Sequence, residues 1–247
     1  MDQIGAHNRQ RFEDPDAVEL YEAMDGLTAC ETALFERHVP SGARVLDLGV
    51  GAGRTTPWLQ ARAATYVGID LAPAMVDAAR RRHPDVDLRV GDAADLAQLA
   101  DGVVDVVVFS YNGIDYLDDG ARGRALDEVH RVLVPGGTYV FSSHDPRAVI
   151  AHLPRTDRRL PHRLAVAALM TARRLGRLVP SRALRTGEGW VLDPVQGGLR
   201  THMATPAAVE AELAAHGFDV VERSNGDLPA RPVALRTPWW YYACRSV

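Results

Sequence analysis

Strand-like runs of apolar and β-branched residues alternate with helix-like segments between residues 44 and 143. Residues 103–109, a nearly continuous β-branched run, are typical of a central strand covered on both faces. Helices are predicted over 55–63, 74–82 and about 125–133, the last one stopped by Pro135-Gly136-Gly137. The runs that predict strands lie at 44–48, 66–70, 87–90, 103–109 and 138–143. This alternation predicts an α/β fold with a doubly wound, mostly parallel sheet.

The segments on either side of this region complete the expected domain organisation. Residues 1–43 predict one or two helices over the open end of the sheet. Thr205, Pro206 and Gly217 are suited to the N-cap, first turn and C′ position of a helix, and strands at 218–222 and 239–244 follow it. We therefore assign residues 44–145 and 201–247 to a core, 1–43 to a helical cover and 146–200 to an insert.

Charge is distributed unevenly along the chain. Every one of the 28 residues counted as Lys or Arg is arginine, against 32 acidic residues, which gives a formal net charge of −4. Ten of these arginines and one acid, Asp157, lie between Pro146 and Thr186, so that segment carries +9. The absence of lysine excludes catalysis by a P-loop lysine or a lysine Schiff base.

The two cysteines, Cys30 and Cys244, lie far apart in the sequence and predict no disulfide framework. The polar first residues resemble no signal peptide, and no apolar run has the length of a membrane span. We expect a cytoplasmic protein with no stable membrane insertion. No His, Cys and carboxylate cluster has metal-ligand spacing, so no metal is expected.

The glycine-rich turn after the first predicted strand separates two classes of nucleotide-binding protein. Residues 45–54 read VLDLGVGAGR, with glycines at 49, 51 and 53 and an acid, Asp47, ahead of them. A dinucleotide-binding turn has the pattern G-x-G-x-x-G, which requires a glycine where Arg54 stands. An acid before the turn suits a cationic ligand better than a pyrophosphate. We therefore expect Asp47 to face a positively charged ligand.

This D-x-G-x-G-x-G pattern resembles motif I of the class I S-adenosylmethionine (SAM)-dependent methyltransferases. Three further motifs follow in the order typical of that family: Asp70 ending the second strand, Gly91-Asp92-Ala93 after the third, and LVPGG at 133–137 before the fifth. The resemblance implies a Rossmann-like, seven-stranded, mostly parallel sheet with an antiparallel last strand. It also implies SAM as the cofactor and S-adenosyl-L-homocysteine (SAH) as its product.

The same resemblance assigns residues to the cofactor site. It implies that Asp70 binds both ribose hydroxyls, that Asp92 accepts from the adenine amino group, and that Leu71 and Met75 contact the adenine ring. The full cofactor-binding set that we predict is Asp47, Gly49, Gly51, Gly53, Asp70, Leu71, Met75, Asp92, Ala93 and Ser110.

Two residues beyond the strand ends are candidates for the methyl-transfer step. The loop Ser110-Tyr111-Asn112-Gly113 lacks the N/D-P-P-Y/F motif of enzymes that methylate nucleobase or glutamine amide nitrogens. Tyr111 is a candidate for the methyl site or for packing under the cofactor. His144 directly follows the fifth strand and is a candidate general base, oriented by Asp145 or Asp115, or alternatively a structural strand cap.

The insert and the charge balance define the expected partners. Insertions between the fifth and sixth strands commonly cover the substrate in small-molecule members of this family. The insert's arginines predict either a solvated charged face or recognition of an anionic small molecule, an acidic carrier protein or, weakly, a membrane surface. A net acidic chain with no RNA-binding module does not favour nucleic acid.

We predict methyl transfer from SAM to an oxygen or nitrogen of a small molecule, in biosynthetic tailoring of secondary metabolites. The alternative from another class is a SAM-binding protein that transfers no methyl group. Such a protein would be an accessory subunit or would catalyse cyclisation or elimination in the same pocket. A nicotinamide-dependent oxidoreductase is disfavoured by Arg54 and by the lack of any Tyr-x-x-x-Lys pair.

Overall fold

A computed structural model describes residues 3–146, 186–193, 198–225 and 239–247. The strands are β1 (Arg44–Leu48), β2 (Thr65–Asp70), β3 (Asp87–Val90), β4 (Val104–Phe109), β5 (Leu133–His144), β6 (Glu188–Asp193), β7 (Leu199–Ala204), β8 (Phe218–Ser224) and β9 (Trp239–Ser246). The α-helices are α1 (Gln3–Glu13), α2 (Pro15–Glu22), α3 (Ala29–His38), α4 (Thr56–Arg62), α5 (Pro73–Arg82), α6 (Asp119–Val132) and α7 (Pro206–Ala215). A short 3-10 helix covers Gly113–Tyr116.

Within the described residues, seven strands form one sheet in the order β3-β2-β1-β4-β5-β9-β8. The pairings from β3 to β5 are all parallel, and β9 is antiparallel to both of its neighbours. The predicted mostly parallel sheet with an antiparallel last strand is confirmed. The order reverses between β1 and β4, which places a crevice beyond the carboxyl ends of these strands.

The central strand β4 divides the core into two layers because successive side chains point to opposite faces. Val107 and Phe109 pack into the cluster that contains α6 and α7, whereas Val106 and Val108 pack into the cluster that contains α3. All four side chains are buried. The uninterrupted apolar run in the sequence therefore reflects a strand with helices on both sides.

The N-terminal region forms three helices rather than one or two. Helix α3 begins with a capping box in which the Thr28 side chain and Glu31 bond reciprocally to each other's backbone N–H groups. Its buried residues Leu34 and Phe35 pack against the sheet. Helices α1 and α2 contribute a single buried side chain among their described residues, that of Asn8.

Two details differ from the sequence-based expectation. Helix α6 ends at Val132, and Leu133 is already extended (φ −72°, ψ 142°), so Pro135-Gly136-Gly137 lies inside β5 and does not stop the helix. Gly136 accommodates this course with a φ of +72°, and the β4–β5 register shifts there.

The two-stranded sheet of β6 and β7 was not predicted, and β7 crosses the expected boundary at residue 200. The predicted arginine-rich stretch at 147–185 lies outside the described residues.

Candidate functional site

The glycine turn after β1 brings bare backbone to the crevice. Gly49 and Gly51 have φ angles of +61° and +55°, in the left-handed region that favours glycine. A Cβ on Gly49 would lie 2.7 Å from a ring carbon of Phe109, so the turn has no space for a side chain there. Gly53 (φ +82°) packs against the ring of His83 instead and does not line the crevice.

Asp70, at the end of β2, ties the neighbouring strand to this turn. One carboxylate oxygen accepts from the Gly51 N–H at 2.8 Å, and the other accepts from the Ala72 N–H at 2.9 Å. Burial raises the pKa of Asp70, although these backbone donors oppose the shift. The carboxylate keeps unused lone pairs toward the pocket that it lines.

A pocket lies along the ends of β1, β2, β3 and β4. Its floor is the glycine turn, and one wall is apolar, with Ile69, Leu71 and Met75. Asp92 also lines it and accepts the Ala94 N–H at 2.9 Å. The predicted site residues that line this pocket are Gly49, Gly51, Asp70, Leu71, Met75, Asp92, Ala93, Ser110 and Tyr111. The structure thus brings nine of the twelve predicted site residues to one pocket.

Asp47 does not face the pocket, contrary to the sequence-based expectation. Its side chain is 1% exposed and lies beneath the turn, where Oδ2 accepts hydrogen bonds from Thr55 Oγ1 (2.6 Å) and Tyr66 OH (2.8 Å). Burial raises the pKa of Asp47 to about 6 despite these two donors. The acid ahead of the glycines therefore braces the turn from below. Its spacing in the sequence does not reveal on which side of the turn it lies.

A buried ion pair, not predicted from the sequence, lies beside the pocket. Both carboxylate oxygens of Glu31 accept from the guanidinium of Arg54, at 2.6 and 2.8 Å, and Ser110 Oγ donates to the same carboxylate. These bonds lower the pKa of Glu31 even though burial alone would raise it. The capping box at Thr28 is a sequence signal for the local position of Glu31, but the partner Arg54 is 23 residues away.

The chain enters the left-handed region twice just beyond β4. Tyr111 (φ 53°) and Asn112 (φ 63°) are the described non-glycine residues with positive φ. Such a conformation costs about 1 to 2 kcal/mol for an ordinary residue. The Tyr111 side chain lines the pocket. The guanidinium of Arg54 lies over the Tyr111 ring, 5.0 Å from the ring centroid. The same kink of the backbone directs the Asn112 side chain toward β5.

His144, the candidate base, belongs to a buried polar cluster behind the pocket wall. Its Nδ1 lies 2.9 Å from Asp115 Oδ2, and its backbone N–H donates to the same oxygen at 2.7 Å. Arg122 Nη1 donates to Asp115 Oδ1 at 2.9 Å, as does Ser143 Oγ at 2.7 Å. Burial would raise the pKa of Asp115, but bonding to His144 and the charge of Arg122 outweigh it and lower that pKa. An ionised Asp115 makes Nδ1 the protonated nitrogen and leaves Nε2 as the basic one.

The Nε2 side of His144 faces Asn112, whose Nδ2 lies 3.4 Å away. Asn112 Oδ1 is buried and has no hydrogen-bond partner in the described structure. Trp239 connects this cluster to the pocket wall, since its ring lies 5.9 Å from that of His144 and 6.0 Å from that of Tyr111. His144 itself is 3% exposed and does not line the pocket.

The described residues contain no group of three or more His, Cys, Asp or Glu side chains arranged to hold a metal ion. Among these same residues, no helix has both the length and the apolar character needed to cross a bilayer.

Comparison with known proteins decides the family. A family model described as "Methyltransferase domain" matches residues 45–137, which span the glycine turn, Asp70, Asp92 and the Pro135-Gly136-Gly137 segment. Residues 45–137 therefore form a methyltransferase domain of the class I SAM-dependent superfamily. SAM is the cofactor of this superfamily and hence of its domain in this chain.

Curated relatives resemble this chain over part of their length. A probable SAM-dependent methyltransferase of Mycolicibacterium smegmatis is 38% identical over 106 residues, which cover 43% of this chain and 40% of the relative. A malonyl-[acyl-carrier protein] O-methyltransferase of Methylococcus capsulatus is 34% identical over 163 residues, which cover 60% of this chain and 57% of the relative. The chain thus spans about half the length of these relatives.

Solved structures share the fold of this chain. A SAM-dependent methyltransferase from Mesorhizobium loti superposes with a TM-score of 0.62 at 22% identity, covering 88% of this chain and 98% of that chain. The Burkholderia thailandensis 1,6-didemethyltoxoflavin-N1-methyltransferase, solved with 1,6-didemethyltoxoflavin and SAH, superposes with a TM-score of 0.63 at 16% identity. The latter superposition covers 98% of this chain and 87% of that chain.

The pocket fits the chemistry of SAM. The bare backbone at Gly49 and Gly51 permits close approach of a ligand, and a side chain at Gly49 would collide with Phe109. Asp70 offers a carboxylate to a diol, and Asp92 offers one to an amino group, both from pocket-lining positions. Leu71 and Met75 supply an apolar surface for a flat base.

Proposed function

We propose that the protein transfers the methyl group of SAM to an oxygen or nitrogen atom of a small molecule. The observation that carries this proposal is the convergence of the glycine turn, Asp70 and Asp92 on one pocket at the carboxyl ends of β1, β2 and β3. We assign cofactor binding to the eight residues of the predicted cofactor set that line it, and a role in the methyl-transfer step to the ninth lining residue, Tyr111. Helices α1 and α2, through Phe12 and Tyr21, form the roof of the pocket.

When bound, SAM supplies an electrophilic methyl group, so the protein has to position the acceptor and take up its proton. His144 suits the second task because Asp115 holds Nδ1 and leaves Nε2 as the basic nitrogen. An incoming proton would replace the long contact of Nε2 with Asn112 Nδ2 at 3.4 Å. Arg122 keeps Asp115 ionised, which stabilises the imidazolium once that proton has arrived. Typical general bases contribute about 10² to 10⁴-fold in rate.

The acceptor carries an O–H or N–H group. Asn112 Oδ1 is a buried oxygen without a donor, and an unsatisfied buried acceptor costs about 1 to 3 kcal/mol. A second O–H or N–H group of the acceptor would supply that donor, because the proton that passes to His144 Nε2 cannot also bond Asn112 Oδ1. Tyr111 is assigned to the pocket wall beside the methyl-transfer position, because its ring lines the pocket and contacts Trp239.

Two features support an anionic or carrier-bound small molecule as the acceptor. Ten arginines and one acid lie between residues 146 and 186. One relative is named as an O-methyltransferase of a malonyl group on acyl-carrier protein, and one structural neighbour as an N-methyltransferase of 1,6-didemethyltoxoflavin. A role in tailoring secondary metabolites accords with the second of these names.

Incubation with methyl-labelled SAM and a panel of hydroxylated and amino-bearing acceptors tests the proposal. The panel includes carboxylate-bearing and carrier-bound compounds. We expect label transfer by the wild type and at least tenfold slower transfer by His144→Ala, with unchanged SAH affinity. Tight SAH binding without transfer to any acceptor would instead favour a SAM-binding protein that moves no methyl group.

A further inference from the structure

The roof of the cofactor pocket rests on one buried polar side chain. Gly5, Asn8 and Phe12 all line the pocket, because their spacing of three and four residues places them on one face of α1. Asn8 is 2% exposed, whereas α2 has no buried residue. Apart from the ring contacts of Phe12, few apolar side chains of this roof are fully buried, so specific polar contacts contribute to holding it in place.

Asn8 uses its amide group on two separate elements. On β7, its Nδ2 donates to the Arg200 carbonyl at 2.7 Å and its Oδ1 accepts from the Arg200 N–H at 2.9 Å. The side chain thus bonds Arg200 as a neighbouring strand would and covers the edge of the small sheet. Its Nδ2 also donates to the Tyr116 carbonyl at 2.9 Å. His7 adds a contact to the Gly198 carbonyl at 2.9 Å.

These contacts join the two halves of the proposed site. Tyr116 immediately follows Asp115, the residue that holds His144. On the other side, Phe12 packs edge-to-face on Tyr116 (5.2 Å) and Tyr21 (6.0 Å). Displacement of α1 would break the Arg200 and Tyr116 bonds together.

We propose that Asn8 is a positioning residue that couples occupancy of the cofactor pocket to the order of β7 and of the 3-10 helix carrying Asp115. The inference rests on the proposed function. A cofactor that contacts α1 from below would hold Asn8 in place and thereby fix Arg200 and Tyr116. The acceptor side is then completed only after the cofactor has bound, so binding is ordered with SAM first.

Amide hydrogen exchange with and without SAH tests this coupling without any acceptor. In the wild type we expect SAH to slow exchange at least tenfold at two places, the Gly51 amide next to Asp70 and the Arg200 amide bonded to Asn8. Asn8→Leu keeps the volume of the side chain and removes its hydrogen bonds. In that variant SAH should still protect Gly51, but protection of Arg200 should not change on binding.

The matched control is Gln10→Ala, since Gln10 lies exposed on the same helix and should respond like the wild type. As a second measurement, Asn8→Leu should release SAH at least fivefold faster than Gln10→Ala does. Equal SAH-induced protection of Arg200 in Asn8→Leu and the wild type would overturn the coupling while leaving the proposed function intact. Lack of protection at Gly51 in the wild type would overturn the proposed function and the coupling with it.

Discussion

Asp115 holds His144 twice through one carboxylate oxygen, which accepts from the backbone N–H at 2.7 Å and contacts the ring nitrogen Nδ1 at 2.9 Å. The two residues are 29 positions apart and are both at least 97% buried. This double contact fixes the orientation of the ring and leaves Nε2 toward Asn112. The proposed proton acceptor is therefore one defined nitrogen atom.

The tautomer of His144 is the first prediction. Because ionised Asp115 accepts from Nδ1, the neutral ring should carry its proton on Nδ1, whereas unbound histidine favours Nε2. Long-range ¹H–¹⁵N correlation spectra of the protein check this, with His144→Gln used to assign the signals. A neutral His144 protonated at Nε2 would contradict the proposed role of that atom.

Removal of the Asp115 charge should destabilise the fold. Asp115→Asn leaves the buried guanidinium of Arg122 with only the half-buried Glu212 as an ionised partner. Breaking a buried pair in this way costs about 3 to 5 kcal/mol. Urea unfolding should show this loss, whereas Asp101→Asn, at an exposed pair with Arg131, should change stability by less than about 1 kcal/mol. Equal losses of stability in both variants would contradict the claim that Asp115 stabilises the fold through its buried ion pair with Arg122.

Asp70 should control cofactor affinity. Asp70→Ala removes the carboxylate assigned to the ribose and should weaken SAH binding by about 1.5 to 3 kcal/mol, or roughly 10- to 150-fold. Asp77→Ala, at an exposed position on α5, is the matched control and should bind SAH normally. Calorimetric titration measures both. Unchanged affinity in Asp70→Ala would refute the assigned role.

The glycine turn can be tested by a pair of alanine substitutions with similar backbone geometry. Gly42→Ala (φ +80°) meets open space and should cost about 1 kcal/mol from conformation alone. Gly49→Ala (φ +61°) adds a contact of 2.7 Å with the Phe109 ring and should cost several kcal/mol more and abolish SAH binding. Thermal unfolding and titration compare the two variants. Similar losses of stability in the two variants would show that the Phe109 ring can move to make room for the added methyl group.

Asp47 predicts a pH dependence of stability. Its folded pKa of about 6 lies above the usual value of 3.8, so folding favours the protonated form. The protonated Asp47 carboxyl therefore contributes about 3 kcal/mol to the free energy of unfolding. This contribution is fully present below about pH 4 and is lost as the pH rises through 6. Asp47→Asn cannot ionise and should lack this change. The difference in unfolding free energy between the two proteins should thus shift in favour of Asp47→Asn between pH 4 and 7, and a constant difference would contradict the raised pKa.

The pattern of apolar and polar residues predicted most of the helices and strands, because the periodicity that marks each element lies within its own short segment of sequence. Strands β1 and β3 were predicted with the bounds that the structure shows, and Asp70 and Asp92 lie at the strand ends where the pocket forms. The end of α6 was misplaced because the chain becomes extended before the Pro135-Gly136-Gly137 turn.

Long-range pairing explains what the sequence did not reveal. Asn8 bonds residues 108 and 192 positions away, and Arg54 pairs with Glu31 across 23 positions. No periodicity encodes such partners. The same holds for Asp47. Its spacing in the sequence predicts that it lies near the glycine turn, but not that Thr55 and Tyr66 donate hydrogen bonds to its carboxylate.

Calorimetric titration of the purified protein with SAH, and separately with a nicotinamide dinucleotide, shows which class of ligand this pocket holds. The pocket of Gly49, Gly51, Asp70 and Asp92 predicts saturable binding of SAH at a single site and no heat from the dinucleotide. Tight uptake of the dinucleotide with no response to SAH would contradict the account.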